Sequence, residues 1–229
     1  LGASPSQNLA ITNDGISWTT YSTLPNDRWK GIASDGSKFV ALSYNGNASA
    51  TSTDGITWTN HTISIPSTRV YSGLSGRNNL CYNGSVFLAV GTDPGYPGIQ
   101  YFLTSSDGIT WTETSAAYTA GYGFGQITSN GTNFVGITLK SSGIGPYSRI
   151  SSDGITWTNY SSAVLSTEEF WIVMSNGSIY TAFGGHSGGT SMSLATSTDG
   201  ITWTSRSFAS NFIVNQIASN GNSFVTINH

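Results

Sequence analysis

Residues Ser52-Thr53-Asp54-Gly55-Ile56-Thr57-Trp58 decide the fold, because the chain repeats them. Nearly the same heptapeptide returns at 105–111, 151–157 and 197–203, and a looser copy runs from Thr12 to Trp18. The box aspartates Asp14, Asp54, Asp107, Asp153 and Asp199 are spaced 40, 53, 46 and 46 residues apart. A second motif alternates with the box. Its glycines, Gly36, Gly84, Gly131, Gly177 and Gly221, are spaced 48, 47, 46 and 44. Three residues after each glycine stands Phe39, Phe87, Phe134, Tyr180 or Phe224, and four before it Ile32, Leu80, Ile127, Val173 or Ile217.

Each second-motif glycine follows Asn or Asp between apolar runs. That dipeptide tolerates positive φ at both centres of a type I′ turn, so the motif predicts a two-residue hairpin, and the Asp-Gly of the box predicts another. Each repeat then carries four short strands, A to D. No stretch sustains a 3.6-residue apolar period, which predicts almost no helix. Four strands every 40 to 50 residues is the period of a β-propeller blade.

The order of the motifs bears on closure. The chain opens with a C–D hairpin and ends with an A–B hairpin. From turn glycine to the next box aspartate the chain runs 18, 23, 22 and 22 residues. Eight residues after Gly221 and fourteen up to Asp14 again make 22. The sequence therefore reads as a cut circle: one all-β domain over 1–229, a closed five-bladed propeller of four antiparallel strands per blade. One blade is shared between 1–22 and 212–229, and the others fall near 29–62, 77–115, 124–161 and 170–208. Closing the ring removes the loose sheet edges of an open array.

Composition narrows the function. Only 8% of the residues are charged, against about 25% in an average soluble domain. Net charge is −3, and eight Lys and Arg are too few for broad nucleic-acid binding by phosphate neutralisation. The apolar stretches are broken by Ser, Thr and Asn, so no membrane-inserting segment is expected. The single cysteine, Cys81, excludes an internal disulfide, and His61, His186 and His229 share no metal-ligand spacing, so neither metal nor cofactor is expected. The chain opens without Met or a signal-like apolar segment. It reads as a monomeric domain cut from a larger extracellular, cell-surface or virion-associated protein.

The boxes resemble the Asp-box of the sialidase-type BNR repeat propellers, Ser-x-Asp-x-Gly-x-Thr-Trp, with one residue fewer here between Asp and Thr. The resemblance covers all five repeats. It implies that the box lies at the C–D turn, away from the ligand face, and is structural. Blade number and length are also similar to tachylectin-type lectin propellers and arabinanase-like glycosidases, in architecture alone. The chemistry of the box agrees. An Asp before Gly can accept backbone N–H groups and close its own turn, while Trp18, Trp58, Trp111, Trp157 and Trp203 supply apolar faces for packing between blades.

Function is then sought where the repeats differ. Setting aside the box aspartates and Asp35, the acidic residues are Asp27, Asp93, Glu113, Glu168 and Glu169. Asp27, Glu168 and Glu169 fall in D–A connections with Arg28, Arg69 and Arg77, and Asp93 falls in a B–C loop. In a propeller those connections share one face. Seven positions before the A–B turn glycines stand Trp29, Arg77, Phe124, Phe170 and Val214, and Trp171 occupies the next place in its repeat, held elsewhere by Lys30, Asn78, Gly125 and Asn215. Tyr96, Tyr147 and His186 belong to B–C loops. Aromatic rings beside hydrogen-bonding side chains suit sugars, although Trp29, Phe124 and Phe170 could equally be core at the start of strand A.

The candidate ligand residues are Asp27, Arg28, Trp29, Arg77, Asp93, Tyr96, Glu168, Glu169, Trp171 and His186. No catalytic residue is assigned. The leading reading is a non-catalytic propeller binding a glycan or protein partner through one loop face. A purely structural repeat domain is the alternative. A glycoside hydrolase would need two loop carboxylates in facing positions, drawn from Asp27, Asp93, Glu168 and Glu169.

Overall fold

A computed structural model describes residues 9–25, 27–65, 80–93, 96–117, 123–138, 147–167, 169–185, 192–207 and 214–228. Its strands run in chain order as β1 (Leu9–Ile11), β2 (Thr19–Tyr21), β3 (Trp29–Ser34), β4 (Phe39–Ser43), β5 (Ala48–Ser52) and β6 (Thr59–Thr62). Then come β7 (Leu80–Tyr82), β8 (Phe87–Asp93), β9 (Tyr96–Ser105), β10 (Thr112–Ala117), β11 (Phe124–Ser129), β12 (Phe134–Thr138), β13 (Tyr147–Ser151) and β14 (Thr158–Ser161). A short helix α1 (Ala163–Thr167) precedes β15 (Glu169–Ser175), β16 (Tyr180–Gly185), β17 (Met192–Ser197), β18 (Thr204–Arg206), β19 (Val214–Ser219) and β20 (Phe224–Asn228).

The described residues form four four-stranded antiparallel sheets, β3–β6, β7–β10, β11–β14 and β15–β18. Their register repeats. The second-motif aromatic of the second strand always faces the box serine of the third: Phe39 opposite Ser52, Phe87 opposite Ser105, Phe134 opposite Ser151 and Tyr180 opposite Ser197. Phe87, Phe134 and Tyr180 are fully buried, so truncating one to Ala removes about 3–5 kcal/mol of core packing.

First strands of successive sheets lie against one another: β3 on β7, β7 on β11, β11 on β15 and β15 on β19. The Thr128 hydroxyl on β11 accepts the Ser175 N–H of β15 at 3.1 Å. The first strands thus sit at the inside of the array.

Neighbouring sheets are joined through the box. A methyl group added at Gly108 would lie 2.5 Å from Val40 of the preceding sheet. At Gly154 it would meet Thr104 at 3.0 Å and Leu88 at 3.1 Å, and at Gly200 it would meet Val135 at 2.9 Å. The Ser49 hydroxyl donates to the Gly108 carbonyl at 2.9 Å, and the Ser148 hydroxyl donates to the Gly200 carbonyl. Trp157 stacks on Phe102 of the preceding sheet, ring centres 5.5 Å apart, and tilts against Phe124 at 4.8 Å. Trp203 is buried with Val135 and Ile137.

The hairpin loops are longer than the sequence predicts. Ser34 pairs with Phe39, which leaves four loop residues where a type I′ turn has two. The cause is the side chain that opens the loop. Asp35 Oδ1 accepts the N–H groups of Ser37 and Lys38, at 2.8 and 2.9 Å, and two residues would not supply both donors. Asn83, Asn130, Asn176 and Asn220 do the same. The box loop is longer still, with Thr51 paired to Thr59.

At the two ends of the chain, β1–β2 and β19–β20 are separate two-stranded ladders and are not one sheet. They leave apolar side chains in water: Trp18 is 61% exposed and Val225 65%, and on the first sheet Phe39 is 40% exposed. The equivalents of Val225 in other sheets, Val40, Leu88 and Val135, are fully buried.

Two glycines separate backbone conformation from crowding. Gly84 and Gly177 have φ of 92° and 94°, but only at Gly84 would a methyl group meet backbone, the Gly131 carbonyl oxygen at 2.5 Å. Gly177→Ala is expected to cost about 1–2 kcal/mol from left-handed strain alone, and Gly84→Ala about 2–4 kcal/mol. Denaturant unfolding checks this; equal losses would contradict the packing between adjacent turns.

Candidate functional site

The first strand of each sheet carries the feature that arranges the variable residues. β3, β11, β15 and β19 share a bulge in one place, between Trp29 and Gly31, Phe124 and Gln126, Phe170 and Ile172, and Val214 and Gln216. The skipped residues are Lys30, Gly125, Trp171 and Asn215. A bulged residue has no ladder partner and is turned out of the pleat. Pairing therefore places little constraint on this position, which reads Lys, Gly, Trp or Asn. All four lie at the same end of the inner strands, opposite the four-residue hairpin loops.

Of the ten candidate residues, Asp27, Arg28 and Trp29 are brought together on the connection from β2 into β3. Asp27 Oδ1 accepts the Arg28 N–H at 2.6 Å. The Arg28 guanidinium stands over the Tyr44 ring, 4.5 Å from its centre, and the Arg28 carbonyl accepts the Tyr44 N–H at 2.7 Å. Trp29 is half-buried and donates its indole N–H to the Pro25 carbonyl at 2.7 Å. That bond fixes the ring's orientation. Trp29 opens onto an apolar cleft of about 250 Å³, lined also by Leu24, Lys30, Ile32, Ala41 and Trp58.

Elsewhere the structure redistributes the candidates. Asp93 and Tyr96 are not in an open loop: they end β8 and begin β9 and pair across the ladder, because the hairpin turns within two residues there. Tyr147 likewise begins β13. Glu169 is the first residue of β15, opposite Gly185. Trp171 is half-buried against the apolar cluster of Ile172, Phe183, Val214 and Ile217, so packing holds much of its surface. Phe124 and Phe170 are core. Arg77, Glu168 and His186 lie outside the described residues.

Sequence reasoning passed over Tyr44 and Lys30. Tyr44 follows β4 in the same B–C position that drew attention to Tyr96 and His186, so the same criterion would have found it. Lys30 needed the bulge, which no local residue pattern announces.

The boxes occupy the other end. Asp54 Oδ1 accepts the Ser52 hydroxyl at 2.9 Å and the N–H groups of Ile56 and Thr57 at 2.8 and 2.7 Å. The Ser52 hydroxyl oxygen takes the Gly55 N–H at 2.8 Å, and the Trp58 indole donates to the Gly55 carbonyl at 2.9 Å. Asp107, Asp153 and Asp199 repeat the set, and Asp14 reproduces the carboxylate bonds with Thr12 in place of Ser. The two backbone N–H bonds, then the hydroxyl, hold Asp14 and Asp54 down at about 2. At Asp107, Asp153 and Asp199 partial desolvation pushes upward, but the same donors together outweigh it and the carboxyls stay below the ordinary range. A carboxylate saturated by its own turn is a poor metal ligand or base.

No family model and no curated sequence matches the chain. Solved structures do. A streptogramin B lyase is similar over 97% of this chain and 70% of its own, at 12% identity and a TM-score of 0.62. A chain of a nidogen–laminin complex matches over 80% of this chain and 64% of its own, at 10% identity and 0.50. The Hadza microbial sialidase Hz136 matches over 79% and 46%, at 14% identity and 0.50. This chain has a β-propeller-type fold. At these identities the likeness concerns the fold alone. The chain spans only about half the length of the sialidase and of a Bombyx mori β-fructofuranosidase that it also matches. Its four complete sheets are propeller blades, its boxes the outer turns of those blades, and its bulges the inner ends.

The box geometry gives a test. Asp107→Ala removes a half-buried acceptor of three hydrogen bonds and is expected to cost about 1–2 kcal/mol in urea unfolding. Because box carboxyls titrate below their ordinary 3.8, their contribution is complete above that value and fades as pH falls towards about 2. Melting temperature is expected to drop over that interval, and to drop less in Asp54→Asn. An identical acid profile in the two proteins would contradict the assignment.

Proposed function

We propose that the chain is a non-catalytic, five-bladed Asp-box propeller, closed by a blade shared between its termini, that binds a glycan through its D–A and B–C loop face. The observation that carries the reading is the recurrent bulge. It sets residues outside the ladder at one end of the inner strands β3, β11, β15 and β19, where Lys30 and the oriented indole of Trp29 share a cleft with Asp27 and Arg28 alongside.

The chemistry fits a sugar. A Trp ring held by its N–H presents a flat apolar face for the C–H side of a pyranose. Arg28, Lys30 and Asp27 supply donors and an acceptor for hydroxyls at its edge. The low charge of the chain favours a neutral or weakly anionic ligand over a polyanion. Because the bulged residues differ between blades, the site is asymmetric, with one ligand per chain. Asp93, Tyr96, Glu168, Glu169, Trp171, Arg77 and His186 belong to this face as further candidates, and the parent protein is extracellular, surface-bound or part of a virion.

A glycan array followed by calorimetric titration tests the reading. Trp29→Ala is expected to weaken binding about five- to thirtyfold, since a lost aromatic stack is worth about 1–2 kcal/mol, in protein that circular dichroism shows to be folded. A stoichiometry of four or five ligands per chain would refute the asymmetric site. A silent array together with specific capture of a protein partner at this face would refute the glycan.

A further inference from the structure

The apolar surfaces left open at the two ends of the chain match each other residue by residue. The repeat supplies the rule. In the β11–β14 blade, Val135 stands opposite Ile150, and the pair together receives the next box glycine: a methyl group at Gly200 would meet Val135 at 2.9 Å and Ile150 at 3.2 Å. Aligned on the box, Ile150 corresponds to Ile11, and aligned on the second motif, Val135 corresponds to Val225. The box glycine that follows Ile11 is Gly55. A methyl group there would meet Ile11 at 3.1 Å, as the rule requires, but no valine stands beside it. Val225 meanwhile is 65% exposed.

A cavity of about 200 Å³ occupies the place where that valine is missing. It is lined by Leu9, Ile11, Trp18, Phe39, Gly55 and Trp58, among others, and contains more apolar than polar wall. Phe39, fully buried in its counterparts Phe87 and Phe134, is 40% exposed here. At the other side of the gap Gly15 has open space around it, where the box glycines 55, 108, 154 and 200 all press on a preceding strand. The valine missing beside Gly55 and Ile11 therefore has its counterpart exposed on the other terminal hairpin, at Val225.

We infer that the free edge of β1, with the cavity beside it, is the seat of the chain's own hairpin β19–β20, held with Phe224 opposite Thr12 and Val225 opposite Ile11. The inference rests on the closed-ring reading and adds its register and occupant. Tethering favours the chain's own hairpin over that of another copy, because it raises effective concentration to about the millimolar range. Seating also has a consequence for binding. Trp58 and Ile32 line both this cavity and the Trp29 cleft, so the seated hairpin becomes a wall of the ligand site.

The double variant Ile11→Cys/Val225→Cys tests the register. Both double variants also carry Cys81→Ala, so that no third thiol competes. Under mild oxidation the pair is expected to form an intramolecular disulfide in a monomer, and to do so at least about tenfold faster than Ile11→Cys/Ile227→Cys, whose partners are two residues out of register. If the displaced pair reacts faster within a monomer, the ring closes but the register is wrong. If only interchain disulfides form, or none, the closed ring fails as well. Val225→Asp gives an independent readout: seated, it lowers the melting temperature by about 5 °C or more, whereas a solvent-exposed Val225 would leave it unchanged.

Discussion

Everything in this molecule depends on a side chain that is absent. The box glycine follows an aspartate whose carboxylate has gathered the next two backbone N–H groups, and that turn brings the glycine to a φ near 74° and presses it onto the preceding sheet. At Gly108, Gly154 and Gly200 the gap to Val40, Thr104 and Val135 leaves no room for a Cβ. The tryptophan three residues later is tied to the glycine carbonyl and covers the joint. Local turn chemistry and packing between blades are therefore one interaction. This explains why Asp, Gly and Trp return together, and why the box varies at its second position, where the joint uses only the backbone, as when the Ser152 carbonyl accepts the Asn83 amide at 2.8 Å.

That division of labour gives the array of blades two unlike ends. At the box end, polar groups are consumed by their own turns, and the carboxylates are pinned down by backbone donors. At the bulge end, one residue on each of β3, β11, β15 and β19 lies outside the ladder register, and it is Lys, Gly, Trp or Asn. A scaffold that repeats its joints but varies the residues at its bulges can change that surface while keeping its joints, which is the general advantage of carrying variable residues on rigid elements.

Much of this was legible in the residues. The alternating motifs predicted strand order and sheet count in the interior of the chain. Three things were not. Hairpin length was misjudged because Asn-Gly was read as a two-residue turn, whereas the Asn or Asp side chain itself recruits two further donors. Asp93 and Tyr96 fall in a B–C loop by their place in the repeat, but the ladder extends to both. The bulge is a property of strand pairing, so Lys30 and Trp171 could be marked as variable but not as displaced, and Trp171 turned out to spend much of its surface on packing.

The repeat also sets an expectation for the place where it is interrupted. Interior blades show what a second strand and a third strand do to each other, and the terminal hairpins carry the same residues in the same order. Amide hydrogen exchange in the intact chain tests this most directly. If one joint governs every blade, the amides along the facing edges of β1 and β20 are protected to the same degree as those of β12 and β13. Exchange of those edges at the rate of unstructured chain, with β12 and β13 protected, would contradict the account.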